Sequence, residues 1–237
     1  MKRLLTIMAA ASTVALATVA HAGDTIKIGV INAYSGQFAD PAAQLDAGIK
    51  LYMQLHGDTV MGKKIEIIRK DTGGIAPPVA KRLAEELVVR DQVDILAGNL
   101  LTPNAMAVGD VSKETGKFMV VMNATTPVII TKSPYMIRTS ATTTQINTNF
   151  GAWVAKQGIK GVYSMVTDYG PGISSGDAFA AGFEAGGGKM VGADRTPVVN
   201  PDFAPFVQRI ADAKPEAIYV WVPGGTRPLA RRWPNVA

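Results

Sequence analysis

The sequence predicts an α/β protein of two lobes, each a parallel sheet covered by helices. Two observations carry this reading. Short apolar runs alternate along the chain with amphipathic stretches at helical spacing, the pattern of strand–helix units that pack as parallel sheets. The alternation then restarts after a polar, threonine-rich stretch, Thr139 to Thr144, so the units fall into two groups. The composition, 47% hydrophobic and 18% charged over 237 residues, is globular and excludes a disordered or collagen-like chain.

The first group opens with Ile26 to Ile31, an apolar run ending before Ser35-Gly36, which reads as a buried strand. A helix follows over roughly Pro41 to Leu55, then a strand at Ile65 to Ile68. Val79, Leu83 and Leu87 recur at helical spacing and predict an amphipathic helix over Pro78 to Arg90. Asp94 to Ala97 is the third strand, a helix starts near Pro103, and Phe118 to Met122 is the fourth strand. Beyond a short Pro127 segment, Tyr135 to Arg138 is a fifth. In the second group, Ile146, Phe150, Trp153 and Val154 form one helix face. Val162 to Val166 is a strand, Ala178 to Ala185 lies in a helix, and Lys189 to Val191 starts a short strand. Phe203 to Ala213 is a helix and Ala217 to Val222 a strand.

The first residues read as a targeting segment. Lys2 and Arg3 precede an uncharged, mostly apolar run, Leu4 to Ala20, and Ala20-His21-Ala22 is a small-residue cleavage signal. The expected mature chain starts at Gly23 and resides in a bacterial periplasm. The organisation predicted is a signal peptide at 1–22, an N-terminal lobe at 23–139, a partial C-terminal lobe at 140–226, and an aberrant basic tail at 227–237. The chain has no cysteine, which excludes disulfides, thiolate metal sites and a thiol nucleophile. The formal charge of +5 resides at the two ends; between them 19 basic residues balance 19 acidic ones. No basic patch with interleaved aromatics occurs in the body, so nucleic acid is not an expected partner.

In open α/β sheets ligands bind beyond the carboxyl ends of the strands. Here those ends share a grammar: Asp40-Pro41, Thr102-Pro103, and Asn123-Ala124-Thr125-Thr126-Pro127. Each sets a hydroxyl or carboxylate before a proline, as at a helix start, where free amides favour an anion. Thr102 and Thr125 together would suit a carboxylate. On spacing alone, helix capping is the better account of both. In the second group Tyr169, in Asp168-Tyr169-Gly170-Pro171-Gly172, can offer a ring face and a hydroxyl from the opposite side, or be a surface turn residue.

Enzyme motifs are weak. No His cluster, zinc-protease helix or nucleophile elbow is present. Asp71-Thr72-Gly73 is a three-residue match to aspartic proteases that reads better as a strand–helix loop. Gly170, Gly172 and Gly176 resemble a dinucleotide loop, but Ser175 takes the third glycine position. No catalytic residue, metal or cofactor is expected.

These residues, taken in order, resemble a family. Ile26-Lys27-Ile28-Gly29-Val30, Ser35-Gly36, Gly48, Lys64-Ile65-Glu66 with Asp71, Val93 to Gly98, Val111 to Thr125, Thr167 to Gly170, Asp202-Phe203, Pro215-Glu216-Ala217 and Pro223-Gly224-Gly225 follow the periplasmic solute-binding proteins of branched-chain amino acid type ABC importers. The resemblance implies a type I periplasmic binding protein fold, with two Rossmann-like lobes closing on a ligand. It also implies delivery to an inner-membrane permease without chemistry, by a monomer. The family's ligand positions fall on Thr102, on Asn123, Ala124 and Thr125, and on Tyr169. A first-loop tyrosine of the amino-acid binders falls on Pro41, with Phe38 nearby, which weakens a leucine-like specificity. The expected ligand is an amino acid of branched-chain type or a related small carboxylate. The alternatives are a sensor for amides or aromatic acids, an exported α/β enzyme, or a non-functional truncated product. Family members are longer, and the sequence after Thr226 does not resemble their next helix; a frameshift or early stop near codon 227 is the expectation.

Overall fold

The computed structural model describes residues 25–223 together with Leu229. The expected leader, and the tail apart from Leu229, lie outside the described residues. Two sheets are present. The first runs β2(Thr59–Val60), β3(Lys63–Asp71), β1(Thr25–Asn32), β4(Ile95–Gly98), β5(Phe118–Val121), β6(Met136–Arg138); only the β2–β3 pairing is antiparallel. The second is all parallel, in the order β8(Lys189–Thr196), β7(Gly161–Thr167), β9(Ala217–Trp221).

In each sheet the first strand lies in the middle, because the chain adds its second neighbour on the opposite side. β1 is flanked by β3 and β4, and β7 by β8 and β9. Such a switch of direction opens a crevice beyond the carboxyl ends of the strands. It places Asn32 and Asn99 at one crevice and Thr167 and Thr196 at the other.

Between the strands of the first sheet run α1(Ala39–His56), α2(Pro77–Val89) and α3(Thr102–Thr115). The predicted stripe of α2 is the buried one: Leu83 and Leu87 join Ile31, Leu96, Val108 and Met119 in the core. The second sheet carries α4(Thr143–Lys156) and α5(Gly170–Ala185) on one face and α6(Ala204–Ala213) on the other. Phe179 and Phe183 pack with Val154, Val166 and Tyr219 on the first face; Phe203 and Ile210 pack with Met165 and Leu229 on the second.

Two expectations are corrected. The short antiparallel β2 was not foreseen, because two exposed residues before Met61-Gly62 carry no periodic signal. The predicted face of α4 is not its buried face. Of that face only Val154 is buried; Ile146, Phe150 and Trp153 are exposed, and Asn147, Gly151 and Ala155 are buried in their place. The reason is the close approach of α5. A Cβ on Gly151 would collide with the backbone of Phe179, and one on Gly182 with the carbonyl of Thr148. Two glycines thus let α4 and α5 meet backbone to backbone. Small residues, not large apolar ones, face inward there.

α4 begins where the chain passes between the sheets. Thr142 Oγ1 accepts from the Gln145 amide at 3.0 Å and Gln145 Oε1 accepts from the Thr142 amide at 2.8 Å, a complete capping box. The threonine-rich stretch is therefore a helix start, reached directly from β6.

Candidate functional site

Thr102 is the first residue of α3, directly beyond β4; Thr126 lies in the loop beyond β5. Neither side chain caps a helix. Asp40 likewise lies inside the first turn of α1 rather than at its cap. The two threonine hydroxyls meet each other instead, 2.9 Å apart and buried. The capping account of this strand-end grammar therefore fails. The partner of Thr102 is Thr126, one residue beyond the expected Thr125. Thr125 is half-buried, and its carbonyl accepts from the Thr143 amide at 3.0 Å, which ties the loop to α4.

Gly170, the first residue of α5, faces this pair from the second sheet. A Cβ there would sit 3.4 Å from Thr126 Oγ1 and 3.7 Å from Thr102 Cγ2. Tyr169 precedes it, with its amide donating to the Thr167 carbonyl at 2.9 Å and its ring 5.8 Å from that of Trp221. Burial pushes the Tyr169 hydroxyl pKa well up, so the phenol is a neutral donor at physiological pH. Arg138, at the end of β6, donates from Nη1 to the Thr126 carbonyl at 2.8 Å. Burial lowers its pKa from the ordinary guanidinium value, but an arginine stays charged in a protein. The site thus holds two hydroxyls beside a helix start with a positive charge nearby, a set that suits an anion.

The other expected residues have different surroundings. Asn123 is half-buried in the same loop. Ala124 packs into the first core, and its amide is taken by the Asn99 carbonyl at 3.0 Å. Phe38 is 4% exposed and packs with Ala33 and Leu101; Val198, from the loop after β8, packs against this cluster. Gln37 Nε2 donates to the Val198 carbonyl at 3.4 Å. Phe38 therefore belongs to a contact that joins the two lobes.

Beyond this contact lies a cavity of about 230 Å³ at the carboxyl ends of β7, β8 and β9, with Gln37 on its first-lobe side. Thr167, Thr196, Val198, Phe203 and Val222 line it, and none of the described lining residues is charged.

Sequence reasoning missed Thr126, Arg138, Asn32, Asn99 and Thr196. Asn99 is 1% exposed with both side-chain amide atoms unpartnered, and the Asn32 Nδ2 and Thr196 Oγ1 are also buried without partners. A strand-end position was the only signal these residues carried. Among the described residues no group of three or more His, Asp or Glu could hold a metal ion. Asp71 serves the loops: its Oδ1 accepts from the Tyr34 and Gly73 amides at 2.7 and 2.8 Å.

Comparison with known proteins agrees with this architecture. The pattern of the periplasmic binding protein family matches residues 25–231. The chain is 42% identical over 222 residues to "Leu/Ile/Val-binding protein homolog 6" of Brucella melitensis, covering 94% of this chain and 57% of that protein. A crystal structure of a solute binding protein of an ABC transporter from Rhodopseudomonas palustris, in complex with 3,4-dihydroxybenzoic acid, superposes with a TM-score of 0.85 at 44% identity, covering 89% of this chain and 58% of that one. Another from R. palustris, in complex with 4-hydroxybenzoate, gives 0.84 at 42% identity with the same coverage. The chain thus spans a little over half the length of these relatives. With the family pattern covering most of the chain and a 42% identical relative beside it, the chain belongs to the periplasmic binding protein family.

Proposed function

We propose that this chain is the solute-capturing part of an ABC importer of the periplasm, and that it takes a small aromatic carboxylate between its lobes for delivery to a membrane permease. The observation that carries the reading is the Thr102–Thr126 hydroxyl pair facing Gly170, the first residue of α5, across the cleft. A carboxylate entering there would receive both hydroxyl protons and the Tyr169 phenol as donors, with the Arg138 charge behind them. Thr102, Thr126 and Tyr169 are assigned to the carboxylate, and Asn123 and Thr125 to the rim of the same loop. Ala124 and Phe38 shape the site through packing.

The choice of an aromatic acid over a branched-chain amino acid rests on charge. An α-ammonium group needs an acidic or carbonyl cage, since a buried cation without partners is costly. The described cavity lining is uncharged, with Phe203, Val198 and Val222 for a ring. The aromatic acids bound by the R. palustris proteins support the same choice; the name of the Brucella relative supports the amino acid. Thermal unfolding of the 237-residue chain with each of benzoate, 4-hydroxybenzoate, 3,4-dihydroxybenzoate, leucine, isoleucine and valine separates them. A ligand at a hundred times its Kd stabilises by about 2.7 kcal/mol, several degrees in Tm for a protein of this size. The expected result is a rise with the aromatic acids only. A rise with leucine, isoleucine or valine alone would replace the aromatic reading with the amino-acid one.

A further inference from the structure

One residue of the cavity wall holds a buried polar atom that has no partner among the described residues. Thr196 ends β8, lines the cavity, and is 0% exposed, yet its Oγ1 has no hydrogen-bond partner. Its backbone is occupied: the Thr196 carbonyl accepts from the Asp168 amide at 2.7 Å, fixing the loop that presents Tyr169. The neighbouring hydroxyl on the same wall, Thr167 Oγ1, donates to the Trp221 carbonyl at 3.3 Å. Thr167 and Thr196 are paired in register at the ends of β7 and β8, so the two hydroxyls differ only in that one is used. Buried hydroxyls without partners are rare in folded proteins, because dehydration is not repaid.

The cavity's size and position give that hydroxyl a use. A void of about 150 Å³ accommodates benzene, and this one is about 230 Å³. It is continuous in sequence with the carboxylate point: Thr167 lies on its wall, and Gly170 abuts Thr102 and Thr126. A benzoate that used both would hold its carboxylate at the threonine pair and its ring in the cavity. We infer that Thr196 is a specificity-determining residue whose Oγ1 hydrogen-bonds a ring hydroxyl of the ligand, selecting hydroxylated benzoates over benzoate itself. This deepens the aromatic-acid reading and rests on it. A site built to hydrogen-bond a substrate hydroxyl discriminates strongly against the analogue that lacks it, because the site's own polar group is then left unpaired.

The test is isothermal titration of the chain with benzoate, 4-hydroxybenzoate and 3,4-dihydroxybenzoate, repeated with Thr196→Val, which keeps the shape, and Thr196→Ser, which keeps the hydroxyl. The unaltered chain is expected to prefer a hydroxylated acid by about tenfold or more. Thr196→Val should reduce that preference below about threefold while leaving benzoate affinity unchanged, and Thr196→Ser should retain it. Equal weakening of all three acids in Thr196→Val, or an unchanged preference, would overturn the role of Thr196 while leaving the aromatic-acid function standing. Failure of the unaltered chain to bind any of the three would overturn the function itself, and this inference with it. Far-UV circular dichroism and the Tm of each variant separate a lost contact from a lost fold.

Discussion

At the scale of the residue, the decisive pair is Thr102 and Thr126. Each hydroxyl has the other as its partner at 2.9 Å; a carboxylate bound as proposed would accept from both, so that no buried group is left unsatisfied in either state. Thr102→Val and Thr126→Val are each expected to weaken carboxylate binding by about tenfold and to lower stability by about 1–3 kcal/mol, since each leaves the other buried hydroxyl without this partner. Fluorescence titration reads the effect, since Trp221 lies against Tyr169. Unchanged affinity in both would remove the pair from the site. Thr102 and Tyr169 were legible in the sequence because each follows a strand end in a recognisable loop. Thr126 was not: two adjacent threonines precede Pro127, and proline spacing does not say which side chain turns inward. Arg138 and Thr196 become visible only when β6 and β8 have been placed in their sheets.

At the scale of the element, alternation gave most strands and helices because each is bounded by a change of period. It failed where packing is not made by large apolar side chains. β8 extends to Thr196 rather than stopping near Val191, since an edge strand with polar alternation carries little hydrophobic signal. α4 was assigned the wrong face because its inward face is Asn147 and Gly151. α1 shows a different dependence. Asp46, on its buried side, joins α1 to β3 by pairing with Arg69, and pairs with Lys50 at 2.8 Å. Burial pushes the Asp46 carboxyl up, but the hydrogen bonds and charges of Lys50 and Arg69 outweigh it and hold the group below its ordinary range. A carboxyl lowered by folding stabilises fully above its unfolded pKa, near 3.9, and loses that contribution as pH falls through the folded value. Acidification below about pH 4 should therefore lower the Tm. Asp46→Asn should cost about 1–3 kcal/mol at neutral pH and flatten that acid loss. Thermal unfolding from pH 7 to pH 3 checks both; an unaltered acid limb in the variant would show that other carboxylates govern it.

At the scale of the whole molecule, two parallel sheets meet with their carboxyl ends facing one another. The contact has an apolar part, Val198 against Phe38 and Leu101, and a polar part, Gln37 to the Val198 carbonyl. Ligand held between the sheets should tighten this junction without altering either lobe. Hydrogen exchange is expected to slow in residues 33–38 and 196–203 when an aromatic acid binds, while β1, β4 and β7 stay as protected as before. Slowing confined to one lobe would mean that the ligand binds without joining the two. The restart of the strand–helix alternation made the two sheets legible from sequence, and the family resemblance implied that they close on a ligand. The junction itself was not, because Phe38 and Val198 lie on loops 160 residues apart in the chain.

The backbone contact between α4 and α5 sets how movement passes through the protein. Interdigitated side chains can slip from one rotamer to another, but two backbones in contact at Gly151 and Gly182 have nothing to slip. α4 begins at the passage between the sheets, and α5 begins at Tyr169 and Gly170. The two helices are thus braced against each other, from the Thr142 start of α4 to the Gly170 start of α5 beside the threonine pair. The turn of chain at residues 139–142, far from Tyr169 in sequence, is thus tied through two glycine contacts to the helix start that Tyr169 precedes.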